Sequence, residues 1–151
     1  MTTPKLIRPS TDYQESYLEA LKEFHEEGRY DFLNIKQLEN NFDDFVKALG
    51  NEKGHPHQKY QDWVEPVPET VLWLVKDKEY IGTVDIRHRL NWHLEKWGGH
   101  LQITIRPSQR QKGYGERAFN MALPFANHLG IDNVLITISP ENKTAIRAIE
   151  K

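Results

Sequence analysis

Apolar residues recur along the chain with two periods, one helical and one extended, and the changes between them mark out the elements. Lys5-Leu6-Ile7-Arg8-Pro9 reads as a short strand closed by Pro9, with Ser10, Thr11 and Asp12 as candidate helix caps behind it. Tyr17, Leu18, Leu21, Phe24 and His25 then fall at helical spacing, which predicts a helix ended by Gly28. Ile35, Leu38, Phe42, Phe45, Val46 and Leu49 repeat the spacing, with Gly50 as the stop. Residues 51–69 hold Gly54, Pro56, Pro66 and Pro68 and show no period, so they read as a long loop.

Extended patterning follows. Thr70 to Val75 is a strand, Lys76 to Glu79 a turn, and Tyr80 to Arg87 the second strand of a hairpin. Gly98 and Gly99 open Leu101-Gln102-Ile103-Thr104-Ile105, whose alternation puts Leu101, Ile103 and Ile105 on one face. Residues 115–129 form a helix expected to turn Ala118, Ala122, Phe125 and Leu129 inward, with Pro124 kinking or breaking it. Val134 to Ile138 reads as a buried strand, and Asn142 starts a last helix with Ile146 and Ile149 inward. The order β-α-α-β-β-β-α-β-α defines a mixed α/β (α+β) chain.

At 151 residues and 38% hydrophobic, the chain fits one globular domain over 1–151. The absence of cysteine excludes disulfides, thiolate metal sites and a cysteine nucleophile. No apolar run of membrane-spanning length and no apolar leader occur, which makes a soluble, cytoplasmic protein the default. Charge matters only once it is divided. Residues 1–75 hold 8 Lys and Arg against 14 Asp and Glu, and residues 76–151 hold 12 against 8. The basic half suits a phosphorylated ligand and the acidic half a cationic one, although solvated helix faces account for the acidity equally well. Basic residues gathered in one loop, with no extended stripe, argue against nucleic acid.

That loop carries the chemistry. Between the strand at 101–105 and the helix at 115–129 runs Arg106-Pro107-Ser108-Gln109-Arg110-Gln111-Lys112-Gly113-Tyr114-Gly115-Glu116-Arg117. Gly113 and Gly115 permit a tight turn and the close approach of a ligand. The helix behind them begins with orphan N–H donors at the positive end of its dipole, a setting that favours phosphate. Arg106, Arg110, Lys112 and Arg117 against Glu116 add positive charge, and the whole reads as a site for a polyanion. The segment lacks the Lys-Ser/Thr of a triphosphate loop. It also lacks the Gly-x-Gly-x-x-Gly and distal acid of a dinucleotide fold. An ordinary surface turn is the alternative reading of an isolated Gly-x-Gly.

Arg110 to Gly115 resembles the Arg/Gln-x-x-Gly-x-Gly/Ala signature of the GNAT superfamily of N-acetyltransferases, and the preceding Ile-x-Ile-x-Pro matches as well. Arg87-His88-Arg89-Leu90-Asn91 followed by Gly98-Gly99-His100 is similar to a bacterial group of acetyltransferases in that superfamily. The resemblance implies a mixed, mostly antiparallel sheet flanked by helices, and acetyl-CoA as co-substrate, with no metal. It implies that Arg110, Gln111, Lys112, Gly113, Tyr114 and Gly115 cradle the pyrophosphate. Ile103, Thr104 and Ile105 would bond the pantetheine arm, and Asn142 would contact the cofactor. Two departures stand out. A tyrosine that many members carry seven residues after the asparagine is Ile149 here, and the sequence ends at Lys151, where the resemblance leads one to expect two further strands. An exposed sheet edge pairing two copies into a homodimer, or a destabilised domain, is the expectation from that stop.

The implied reaction is direct attack of a neutral amine, from a small molecule or a protein or peptide, on the thioester. Its base would come from His100, His88 or Asp85, with His100 ranked first for its place at the mouth of the cofactor strand. Each has a plain structural alternative: a histidine bonded to a turn, or an aspartate paired with a neighbouring cation. His55-Pro56-His57 lacks the further ligands a metal needs and reads as solvated loop. Tyr60 and Trp63 either line an acceptor pocket or anchor their loop. The rival functional class is an acyl-CoA-binding or regulatory module without turnover.

Overall fold

The structure is a computed structural model and describes residues 3–50, 69–88 and 100–131. Strand β1 (Lys5–Ile7) leads through a short 3-10 turn to helix α1 (Gln14–Glu26) and helix α2 (Ile35–Leu49). Strands β2 (Glu69–Lys76), β3 (Glu79–Arg87) and β4 (Leu101–Ile105) follow, then helix α3 (Tyr114–His128). The elements expected at 134–138 and from Asn142 lie outside the described residues, as do the loop at 51–68 and Gly98 and Gly99.

The four strands form one sheet in the order β1-β2-β3-β4, antiparallel at every pairing. Alternation buries both faces. Val71, Trp73, Val75 and Tyr80 pack with Tyr17, Leu21 and Phe24 of α1 and Leu38, Phe42, Phe45 and Leu49 of α2. Leu72, Leu74, Ile81, Val84, Ile86 and Leu101 pack with Ala118, Ala122 and Ala126 of α3 on the other side. Aromatic rings hold the first layer: Tyr17 stacks on Trp73 with centroids 4.8 Å apart, and Tyr80 meets Trp73 edge-on at 5.3 Å.

One irregularity sorts the residues of β3. Leu74 pairs with Gly82 and Val75 with Tyr80, so Ile81 is an extra residue opposite β2. The bulge lets Ile81 and Val84, three apart, both face α3. Thr83, Asp85 and Arg87 consequently face the α1 and α2 side, as the hydrogen bond between the Tyr80 and Thr83 hydroxyls requires.

Local caps explain where the helices start and stop. Asn34 Oδ1 accepts from Gln37 N at 3.1 Å at the start of α2, and Gly28, with φ +81°, turns the chain after α1. Helix α3 runs unbroken through the exposed Pro124. Its inward face differs from the expected one. Ala118, Ala122 and Ala126 are buried, whereas Phe125 and Leu129 are 42% and 38% exposed. Alanines four apart make a flat stripe that lets α3 lie close on the sheet, and Phe125 and Leu129 fall off its edge.

Candidate active site

Strand β4 joins two regions at its opposite ends. Near its C-terminal end the chain turns through Pro107–Gln109 into the glycine loop and α3. Gln111 (φ +64°) and Gly113 (φ +84°) both take the left-handed conformation, which costs a residue with a Cβ but not glycine. Gly113 caps α3 without a side-chain bond to its first turn, and the first helical bond runs from Arg117 N to Gly113 O at 3.2 Å. The amides of Tyr114 and Gly115 therefore precede the ladder. A Cβ placed on Gly113 or on Gly115 would meet nothing within 4 Å, so the backbone there borders open space. An open, uncapped helix start of this kind accepts an anion.

The charge around it is arranged differently from the sequence expectation. Arg106, counted there among the cations facing the ligand, is 5% exposed and turned toward α1. It forms an ion pair with Glu23, and its Nη1 donates to the Tyr80 carbonyl and to Ser16 Oγ, both at 3.3 Å. Pairing offsets part of the cost of burying the charge, and breaking it would leave the guanidinium without that compensation. Arg110 donates from Nη1 and Nη2 to the two oxygens of Glu27, at 2.8 and 2.7 Å, and from Nε to the Ile105 carbonyl at 3.1 Å. Lys112 Nζ donates to Gln109 Oε1 at 3.2 Å.

The carboxylates respond. Burial alone would raise the Glu23 pKa, but hydrogen bonds from Arg106 and from Ser108 outweigh it and leave the group below its ordinary value. The hydrogen bond from Arg110 lowers Glu27 in the same sense. These contacts tie α1 and its C-cap to residues 83 and 85 positions away, a separation at which no local spacing rule reveals a partner.

At the other end of β4 lie the three residues considered for proton transfer. His100 precedes β4 and is 9% exposed, its carbonyl accepting from Arg87 N at 2.7 Å. Burial lowers its pKa, which favours the neutral ring. His88, after β3, has its Nε2 2.7 Å from Thr70 Oγ1. Both histidines thus stand at the same end of the β3 and β4 pair. Asp85 lies further into β3, buried, opposite Gln102 in register and on the face that carries Thr83 and Thr104. Beside it on β3, Arg87 pairs with Glu69 of β2 at 3.1 Å in the interior, an ion pair that sequence reasoning did not reveal.

A further residue without a sequence signal is Tyr30. It adopts φ +58° between α1 and α2, its carbonyl is 2.9 Å from His25 Nε2, and Arg29 lies over its ring at 5.4 Å. Its phenol hydrogen-bonds with Thr104 of β4. Burial raises its pKa and keeps the hydroxyl protonated. Of the cofactor residues named from sequence, Ile103, Thr104 and Ile105 lie on β4, and Arg110 to Gly115 follow its end; Asn142 lies outside the described residues.

An acyl-transferase is the class that this arrangement of strand, loop and helix suits. The sequence profile described as an acetyltransferase (GNAT) domain matches residues 12–151. The chain belongs to that family, and its mixed α/β architecture with an antiparallel sheet agrees with the fold. No curated protein matches the chain. Among the described residues no group of three or more His, Cys, Asp or Glu could hold a metal ion, and no helix is long and apolar enough to cross a membrane.

Proposed function

We propose that the protein is an N-acetyltransferase that moves the acetyl group of acetyl-CoA to a primary amine by direct attack in a ternary complex. The observation that carries this reading is the uncapped start of α3, with open space over Gly113 and Gly115, at the end of β4. That backbone fits a pyrophosphate, because its donors precede the helical ladder and the missing side chains leave room for the oxygens. Lys112 and Arg117, on the same segment, supply charge.

Distance along β4 supports a long ligand. Five extended residues span about 14 Å. Such a strand can separate a pyrophosphate at the glycine loop from a thioester near the histidine end. Among the described residues β4 pairs only with β3, consistent with pantetheine bonding by Ile103, Thr104 and Ile105.

When bound, acetyl-CoA supplies an acyl group activated as a thioester. The amine nitrogen forms a bond to the carbonyl carbon, the carbon–sulfur bond breaks, and the thiolate leaves with the electron pair and takes up a proton. His100 accepts the proton of the incoming ammonium, directly or through water, because its neutral form is favoured by burial. His88 and Asp85 are the alternatives on the neighbouring strand end. A backbone N–H of β4 stabilises the developing oxyanion. Asn142 contributes to cofactor binding.

The acceptor is a small-molecule amine or an amine on a peptide or protein, and the site of action is the cytoplasm. Release of free thiol from acetyl-CoA, measured against a panel of amines, tests the reading. Amine-dependent thiol release is expected. Saturable CoA binding with no turnover on any amine would make the protein a binding module instead.

A further inference from the structure

We infer that Glu23 and Glu27 are positioning residues for the glycine loop, and that Arg110 acts as a brace to Glu27 and not as a ligand of the phosphate. The inference rests on the reading of that loop as the pyrophosphate site. Glu23 and Glu27 stand four residues apart and therefore on one side of α1 and its C-cap. Between them they hold three alternate residues of the segment leaving β4. Glu23 takes the Arg106 guanidinium, the Ser108 amide at 2.9 Å and the Ser108 hydroxyl at 3.0 Å. Glu27 takes Arg110 through both oxygens.

Two features single out the Glu27 pair. Glu27 is the C-cap of α1, where the negative end of the helix dipole disfavours a carboxylate, and yet its pKa lies below the ordinary value because Arg110 bonds it. Arg110, for its part, uses all three guanidinium nitrogens on Glu27 and on the Ile105 carbonyl, so its planar fork is directed away from the loop. The next residue is Gln111, in the left-handed conformation that a side chain disfavours. Such a residue persists only where its neighbours fix it, and the fixed neighbour is Arg110. The brace thereby sets the path of the chain into Gly113, while binding falls to main-chain donors, Lys112 and Arg117.

A double-mutant cycle with Glu27→Gln, Arg110→Gln and the pair together separates brace from ligand. Glu27 is the better target because replacing Glu23 would leave the buried Arg106 without its carboxylate. Calorimetry with CoA on the full chain is expected to show each single variant binding about fivefold more weakly, and the double no weaker than either single. In turnover the KM for acetyl-CoA rises by the same factor with kcat unchanged. Amide hydrogen exchange without ligand is expected to quicken across residues 108–113 in all three variants.

Weakened CoA binding in Arg110→Gln with unchanged or tighter binding in Glu27→Gln would make Arg110 a direct ligand and overturn the inference. Additive losses, or no loss in any variant, would overturn it as well. If the wild-type chain takes up no CoA, the functional reading fails separately. The exchange data then decide the brace alone, and unchanged protection of 108–113 in Glu27→Gln refutes it.

Discussion

Gly82→Ala tests how closely β3 and β4 are held at the start of the cofactor segment. Gly82 pairs with Ile105, and an alanine Cβ there would lie 2.5 Å from the Thr104 carbonyl oxygen, 2.9 Å from Ile105 Cδ1 and 3.2 Å from Ile105 Cα. The Ile105 side chain can rotate away; the Thr104 carbonyl belongs to the strand and cannot. Restoring ordinary contact requires β4 to shift by about 1 Å, given that relaxed C–H···O contacts begin near 3.3 Å. Overpacking of this kind costs about 1–3 kcal/mol, and rigid sheet backbone puts the site at the upper end. The stiffer unfolded chain returns about 0.4–1 kcal/mol. A net loss of about 2 kcal/mol corresponds to a fall in Tm of about 4–8 °C for a chain of this size.

Circular dichroism on heating reads that fall directly. A Tm equal to or above the wild-type value would refute the account of β3 and β4 packing. A second measurement addresses function. Leu49→Ala removes a buried side chain, 2% exposed, from the opposite layer at a cost of about 2–5 kcal/mol without touching β4. CoA affinity is expected to fall in Gly82→Ala and to hold in Leu49→Ala at temperatures where both are folded.

Other perturbations probe the remaining features. Glu69→Ala removes the carboxylate that the buried Arg87 holds at 3.1 Å and is expected to cost about 3–5 kcal/mol in a denaturant titration; a smaller loss in Arg87→Met/Glu69→Leu than in Glu69→Ala would show that the broken ion pair is the cause. His100 has a lowered pKa, so the unfolded chain binds its proton at higher pH than the folded one, and stability falls as pH drops through about 6.5 toward the lower folded value. His100→Gln should flatten the pH dependence of the urea midpoint in that window, and an unchanged slope would contradict the assignment. Pro124→Ala restores a helical N–H at an exposed interior position of α3 and should raise Tm, with a gain of up to about 3 kcal/mol. A fall in Tm would mean that Pro124 makes a contact the helix depends on.

The elements were legible where the signal is local. The apolar spacing from Ile35 to Leu49 with Gly50 behind it matches α2 at both ends, and the hairpin from Thr70 to Arg87 differs from β2 and β3 by a residue or so at its edges. Glu69 extends β2 because it pairs with Arg87 across the ladder, a partner that a one-dimensional pattern does not contain. The α3 face was misjudged at Phe125 and Leu129, since large apolar side chains weigh more in a pattern than alanines, while close packing on a sheet selects the alanines. The turn into α3 was legible through Gly113 and Gly115, whose backbone freedom follows from their lack of a side chain. Its charge was misread at Arg106 because the deciding carboxylate, Glu23, lies on α1, 83 residues earlier.

Amide chemical-shift mapping during a titration with acetyl-CoA tests the central claim most directly. Saturable shifts are expected at Gln111 to Gly115 and at Ile103 to Ile105, with smaller changes on α2. No shifts at millimolar acetyl-CoA, or shifts confined to residues away from β4 and the start of α3, would contradict it.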